Sequence, residues 1–480
     1  MLSTVPALIL SGIGVYEISI QVDVSKRGFP NCRIVGLPHK SVAEARERLR
    51  SAIVNSGLPF PRCRTTINLS PADLPKQGGQ LDVSIAVALL AAQGVVPTQK
   101  VNKMLFIGEL SLDGSILPVK GLRAMLTYAR DKSFDQIFIP KGQEDQCRKV
   151  NCYPVERLAD LIAHLQNRSL LAPFLKSKKQ NIPEISPQVD FKNIVGQTEA
   201  KRALEIAAVG GHHVLMIGPP GIGKTLLAQA LHGILPQQNE EERENIQLIA
   251  SYQSALLQKN SERPFVKPAP SSTLTQLIGG RKNIGYVLSS VGGVLFLDEL
   301  PEFKKMCIQS LKNVLDSSEE PRARVQLIAA MNPCPCGNYG HPLKKCACSM
   351  QSIHRYQQRI SDAIHDRIDI HIHLHDVEYS QREKSESSHN IKYRVQQARQ
   401  FSSARQNYVN ADIASEECEA MCTITSQSQV YLDAVVQKHG LSMRAYHSVL
   451  KMARTIADLA QSQEIVHNHV MEAVQLRCLS

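Results

Sequence analysis

A chain of 480 residues, 43% hydrophobic and 21% charged, has the length for about three domains that each bury a core, which excludes an intrinsically disordered protein and a disulfide-dependent miniprotein. Its apolar runs are short and broken by Gly or charge, so neither a membrane span nor a secretory leader is expected, and the expected location is cytoplasmic. The formal net charge is +11, and residues 1–170 hold 21 Lys and Arg against 14 Asp and Glu; such a balance suits a nucleic-acid partner through phosphate neutralisation, and equally a solvated basic surface.

In chain order, residues 1–168 predict an α+β domain. The alternation in ISIQVDVS and the apolar RIVGL predict strands. A capping box of Ser41 and Glu44 opens a helix with Val42, Leu49, Ala52 and Ile53 on its apolar face. The run LDVSIAVALLAAQG predicts a second, buried helix ending at Gly94. Residues 169–189 lose all periodicity and collect Pro, Lys and Ser, as a linker does. From 190 to 376 the strand candidates HHVLMIG, GGVLFLD and RVQLIAAMN alternate with helical runs in the manner of a doubly wound parallel sheet. Residues 377–480 read as a separate helical domain.

The strongest motif is GPPGIGKT, comprising Gly218, Pro219, Pro220, Gly221, Ile222, Gly223, Lys224 and Thr225, between an apolar strand and an apolar helix. Its glycines let backbone N–H groups turn inward on phosphates, Lys224 reaches the β and γ phosphates, and the Thr225 hydroxyl can ligate Mg²⁺. Downstream, VLFLDEL places Asp298 at a strand end to hold Mg²⁺ and Glu299 to polarise an attacking water. QLIAAMN ends in Asn332, a polar group able to orient that water. Arg367, in DRID, and Arg444, near a helix start, stabilise transition-state charge if they reach a γ-phosphate in cis or from a neighbouring subunit; otherwise they are surface salt-bridge residues.

In this order, P-loop, LDE, Asn332, DRID and helical domain resemble AAA+ ATPases. VGLPHKSVAEARERLRSAIVNSG, INLSPADLPKQGG, GVLFLDELPEF, AAMNPCPCGNYGHP and ARTIADL narrow the resemblance to the ComM/YifB branch of the magnesium-chelatase-type family, over nearly the whole chain. The resemblance implies a multidomain α/β fold: a Lon-protease-like α+β N-terminal domain, an AAA+ P-loop α/β core, and a C-terminal helical lid. It implies a Mg²⁺-dependent ATPase, forming a homo-oligomeric, hexameric ring and acting in branch migration on branched or single-stranded DNA during natural transformation. Lys224, Thr225, Asp298, Glu299 and Asn332 then act in cis, Arg367 as the finger in trans and Arg444 as the second sensor. The rivals are a motor subunit for Mg²⁺ insertion into a porphyrin and a nucleotide-gated DNA-binding switch.

The landmarks KQGGQLDVS and GELSLDGSILPVKGLRAM resemble a Lon proteolytic domain, but they put Gln80 where the Ser nucleophile belongs and Arg123 where the Lys belongs. Neither supports that chemistry, so a binding or assembly platform is expected, with Arg46, Arg48, Arg50, Arg62 and Arg64 lining a DNA path or a solvated face. Cys334, Cys336, Cys346 and Cys348, in CPCGNYGHPLKKCAC, have the ligand count for one structural Zn²⁺, with His341 as a spare; reduced free thiols are the alternative. In HIHLH, the histidines 371, 373 and 375 mark a half-solvated strand. Two segments depart from the family: the stretch between Asp298 and Asn332 is short, lacking a hairpin before the sensor strand, and FVKPAPSS lacks the expected paired histidines. Nucleotide hydrolysis is expected to survive these changes, and translocation is the function they endanger.

Overall fold

The structure, a computed structural model, describes residues 2–12, 14–25, 29, 31–36, 45–74, 76, 78–147, 150–174, 189–254, 262–280, 284–316, 324–375 and 386–478. It divides into two compact units, Met1–Ile182 with Gln247–Ser261, and Pro183–Ile246 with Glu262–Ser480. The capping box at Ser41 and Glu44, most of the predicted linker, and the shortened stretch at 317–323 lie outside the described residues.

In the first unit, β1 (Leu2–Ser11) and β2 (Gly14–Ser25) pair antiparallel from Leu2 opposite Asp23 to Ser11 opposite Gly14. β3 (Asn31–Val35) and β4 (Arg64–Ser70) complete a sheet of order β1-β2-β4-β3. Alternation turns Val5, Ile9, Ile18, Ile20 and Val22 inward. The helix α1 (Ala45–Asn55) buries Ala45, Leu49, Ala52 and Ile53, the i, i+4, i+7, i+8 stripe of an amphipathic helix. α2 (Asp82–Ala92) is buried on every side and packs on β1 and β2. It stops because Gly94 turns left-handed at φ 81°, where a side chain is strained. A three-stranded parallel sheet, β5 (Met104–Phe106), β8 (Gln136–Pro140) and β9 (Cys152–Val155) in the order β5-β8-β9, follows, with a short hairpin of β6 (Glu109–Leu110) and β7 (Ile116–Leu117). The helices α3 (Leu122–Arg130) and α4 (Leu158–Leu165) complete the unit.

The second unit is built on a parallel sheet of order β11-β12-β13-β10-β14: β10 (Val214–Ile217), β11 (Phe265–Val266), β12 (Val294–Leu297), β13 (Gln326–Met331) and β14 (Ile370–His373). All four residues of β12 and all six of β13 are buried, as expected of strands covered on both faces. The helices α5 (Thr198–Gly210), α6 (Lys224–Ile234), α8 (Lys305–Asp316) and α9 (Met350–Gln357) accompany it, with α7 (Glu240–Gln253) as far as Ile246.

The helical region comprises α10 (Ser388–Ser403), α11 (Ser415–Met421), α12 (Ser426–His439), α13 (Met443–Leu459) and α14 (His467–Cys478). It shares one apolar cluster with the sheet, in which Val214 and Ile370 meet Val395, Leu432, Val449 and Ala453. A buried polar knot ties the two together: His212 Nδ1 lies 3.1 Å from Asp369 Oδ2, its Nε2 lies 2.9 Å from Thr455 Oγ1, and the Ser448 hydroxyl donates to Asp369. Burial alone would raise the Asp369 pKa, but the bonds and charges of His212, His213 and Ser448 hold it below the usual carboxylate range. No helix among the described residues is long and apolar enough to cross a membrane.

Candidate nucleotide site and cysteine cluster

The buried strand β10 delivers the chain to Gly218, whose N–H donates to Met331 O at 3.2 Å. A Cβ on Gly218 would stand 2.8 Å from Leu374 Cβ, so only glycine fits between β13 and β14 here. Gly221 and Gly223 take φ of +84° and +96°, and α6 starts directly after them with Lys224. The turn therefore presents successive backbone amides at a helix N-terminus, the arrangement that receives phosphate oxygens. Lys224 is buried, and its Nζ donates to Gly218 O (2.5 Å), Pro219 O (3.0 Å) and Asn332 Oδ1 (3.0 Å). Its pKa is lowered by burial, against the attraction of Asp298 and Glu299.

Asp298 follows β12, two strands from the P-loop strand. Thr225 Oγ1 donates to its Oδ2 at 3.2 Å, which brings together a hydroxyl and a carboxylate, oxygen donors of the kind that suit a hard divalent cation. The same oxygen accepts from Lys267 Nζ at 2.9 Å, so the donor set already holds a cation. Lys267, which also lies 5.2 Å from the centre of the Phe296 ring, was not among the expected site residues. Only the pairing of β11 with β12 reveals it, because that register sets Val266 beside Leu295 and carries the next residue to the acid. Glu299 is exposed and has a left-handed φ of 54°, unusual for a residue with a side chain. Its N–H donates to Asp298 Oδ1 at 3.1 Å, which fixes the turn that holds the two acids apart.

Lys224 is thus hydrogen-bonded to Asn332 and Thr225 to Asp298, with Glu299 next to Asp298. Arg367 is not brought to them: it precedes β14, whose start pairs with the start of β10, so it lies at the sheet end opposite the P-loop. Its Nη1 donates to Ala363 O at 2.6 Å. Arg444 is exposed on the first turn of α13.

The four cysteines converge. Cys334 Sγ lies 3.4 Å from Cys336 Sγ and 3.7 Å from Cys346 Sγ, Cys336 and Cys346 are 3.6 Å apart, and all four sulfurs including that of Cys348 lie within 4.8 Å of one another. A tetrahedron with Zn–S bonds of about 2.3 Å has edges of about 3.8 Å, so this donor set fits a tetrahedral thiophilic ion. The backbone supports it: the Tyr339 N–H donates to Cys334 Sγ at 3.3 Å, and N–H groups of Asn338 and Ala347 pull the Cys336 pKa down to about 6. His341 is outside the cluster; its Nδ1 accepts from the Leu343 and Lys344 amides. The cysteine segment also abuts the P-loop, since a Cβ on Gly337 would lie 2.5 Å from Pro220 Cδ. A cavity of about 360 Å³ opens beside that contact, lined by Gly218, Pro219, Tyr339 and His341.

The expected half-solvated strand is present: along β14 the isoleucines 370 and 372 are buried, His371 is half-buried and His373 exposed. Burial lowers the His371 pKa to about 3. In the first unit, the five arginines expected on a DNA path or a solvated face divide, with Arg46, Arg50, Arg62 and Arg64 exposed. Arg48 turns inward and makes a two-pronged pair with Asp82 at 3.0 and 3.2 Å, because a carboxylate at the start of a fully buried helix needs a counter-ion. Burial, the largest influence, still raises the Asp82 pKa to about 7. Arg46 pairs with Glu47, while Arg50, Arg62 and Arg64 are exposed. Arg123 is buried, with its N–H on Gln146 Oε1 at 3.1 Å, and Gln80 O accepts from the Gly108 N–H.

Residues 190–382 match the family model for magnesium chelatase, subunit ChlI; residues 20–143 match subunit ChlI of Mg-chelatase, and residues 385–477 its C-terminal model. Among curated proteins, the chain is 37% identical over 489 residues to the uncharacterized protein YifB of Escherichia coli, covering 98% of this chain and 95% of that one. It is 35% identical over 491 residues to the competence protein ComM of Haemophilus influenzae, covering 98% and 96%. A Lon protease homolog of Thermoplasma volcanium shares 37% identity over 81 residues, only 17% of this chain and 14% of that one. With three models of one subunit in tandem and full-length relatives of this kind, the chain belongs to the ComM/YifB branch of the magnesium-chelatase-type family.

Proposed function

We propose that this chain is a Mg²⁺-dependent AAA+ ATPase that closes into a homo-oligomeric, hexameric ring and moves on branched or single-stranded DNA. What carries the reading is the convergence of Lys224, Thr225, Asp298 and Asn332 within 3.0–3.2 Å hydrogen bonds at the mouth of a parallel sheet. The name of the Haemophilus influenzae relative, a competence protein, supports a role in DNA uptake and recombination.

The P-loop amides and Lys224 bind the phosphates, while Thr225 Oγ1 and Asp298 would hold Mg²⁺. Bound there, Mg²⁺ would supply charge neutralisation to the phosphates. To reach a phosphate, the Lys224 ammonium exchanges its carbonyl partners for phosphate oxygens, keeping its desolvated charge compensated. Glu299, exposed beside Asp298, orients and polarises the attacking water. Asn332 keeps Lys224 aligned through its Oδ1 and aims its amide N–H₂ at the γ-phosphate region. Arg367, on the far end of the sheet from its own P-loop, serves the neighbour's nucleotide, which requires a head-to-tail interface and a ring. Arg444 is assigned as the second sensor. Cys334, Cys336, Cys346 and Cys348 would hold a structural Zn²⁺, which would fix the segment against Pro220.

The test is the steady-state ATPase rate with Mg²⁺, with and without a forked DNA, using Lys224→Ala as the blank. Stimulation by the fork is expected, and Glu299→Gln is expected to retain ATP and stop turnover. A rate indifferent to DNA would favour the chelatase-like motor, and unchanged turnover in Glu299→Gln would remove Glu299 from the mechanism.

A further inference from the structure

A second cavity, of about 330 Å³, opens in the second unit at the end of the strands opposite the P-loop. Its walls are Gly211 before β10, Gly293 before β12, the start of β13, the first turns of α7 and the end of α10. Three arginines face it: Arg263, Arg324 and Arg399. Arg263 is paired with Glu242 at 2.8 Å, and Arg324 with Asp412. Arg399, on α10, has no such counter-ion among the described residues; its Nε is closed off from solvent and makes no hydrogen bond. Burial, then the charges of Arg324 and Arg263, lower its pKa to about 9, with Glu242 and Asp412 opposing. The residue is only partly buried, so its charged guanidinium faces the cavity with no ion pair of its own among the described residues.

We propose that this cavity is a binding site for a small phosphate-bearing ligand, with Arg399 as its primary contact and Arg263 and Arg324 flanking it. A tetrahedral phosphate directs oxygens toward three guanidiniums at once, whereas a planar carboxylate satisfies one fork. Glu242 and Asp412 already engage Arg263 and Arg324, so Arg399 is the guanidinium left to meet the phosphate. The ligand would bridge α10 and the segment through Asp412 to the strand ends, bracing the helical region on the sheet. The inference is independent of the nucleotide site, which occupies the other end of the same strands.

The experiment uses the full chain carrying Lys224→Ala, so that the P-loop does not contribute. Melting midpoints are compared in KCl, in inorganic phosphate and in ribose 5-phosphate, all at matched ionic strength. Phosphate or its ester is expected to raise the midpoint by about 2–4 °C. An equal rise with both assigns the ligand to orthophosphate, and a larger rise with ribose 5-phosphate assigns it to a phosphate monoester. Adding Arg399→Met is expected to abolish the phosphate-dependent rise. No rise in the Arg399 parent, or a rise that persists in Arg399→Met, would overturn the proposal.

Discussion

Lys267→Met isolates the competition for Asp298. The Lys267 ammonium sits 2.9 Å from Asp298 Oδ2, the oxygen that Thr225 also touches, so a divalent ion binding there must displace it. The two side chains are 43% and 22% exposed, which places the pair among partly solvated ion pairs of ~0.2–1 kcal/mol rather than buried ones. Removing the competing cation should therefore lower the Mg²⁺ concentration for half-maximal ATPase by about 1.4- to 5-fold, at ~1.4 kcal/mol per factor of ten. Methionine keeps an unbranched apolar stem against the Phe296 ring, so the fold is expected to melt within about 1 °C of the parent. The assay is a Mg²⁺ titration of turnover at fixed, saturating ATP. An unchanged half-saturation would refute the competition, and a higher one would show that Lys267 assists catalysis instead.

Elemental analysis of the purified protein should find one zinc per chain, and Cys334→Ser should lose it; metal-free protein from a thiol-protected preparation would refute the four-thiolate assignment. His213, whose Nδ1 accepts from the Leu327 N–H at 3.1 Å, has a pKa lowered to about 4 by burial. Because the native state binds fewer protons than the unfolded chain, with its histidine near 6.5, this contribution is complete above about pH 6.5 and is lost as pH falls toward 4. His213→Asn, which keeps an acceptor near the Nδ1 position, should flatten the fall in denaturant midpoint across that window. Leu231→Ala, in the fully buried face of α6, should destabilise the second unit by ~2–5 kcal/mol in denaturant melts. Gly337→Ala places a Cβ 2.5 Å from Pro220 Cδ at a φ of +79° and should weaken nucleotide binding in a fluorescent-nucleotide titration, whereas Gly340→Ala, also left-handed but open, should not.

The local motifs were legible because they depend on neighbours in sequence. The P-loop, the strand carrying Asp298 and the stripe Leu49, Ala52, Ile53 needed only spacing and apolar pattern. Lys267 was hidden because its contact depends on β11 pairing beside β12, a nonlocal choice that no periodicity announces. The pairing of Arg48 was hidden for the same reason: its partner Asp82 is 34 positions away, on a helix whose burial was expected but whose neighbour was not. The cysteines were grouped by spacing alone, yet their contact with Pro220 through Gly337 required the fold. Arg399 lacked any signal, since an unpaired guanidinium is defined by what does not surround it.

The closeness of Gly337 to Pro220 also limits how this protein can be re-engineered. Two segments more than a hundred positions apart share one interlock, so neither is a portable cassette. A P-loop transplanted from another ATPase with a bulkier residue at 220, or a cysteine loop transplanted without glycine at 337, would arrive with its counterpart missing. Chimeras that exchange both segments as a matched set should tolerate the graft, and over generations the two stretches are bound to drift as a pair.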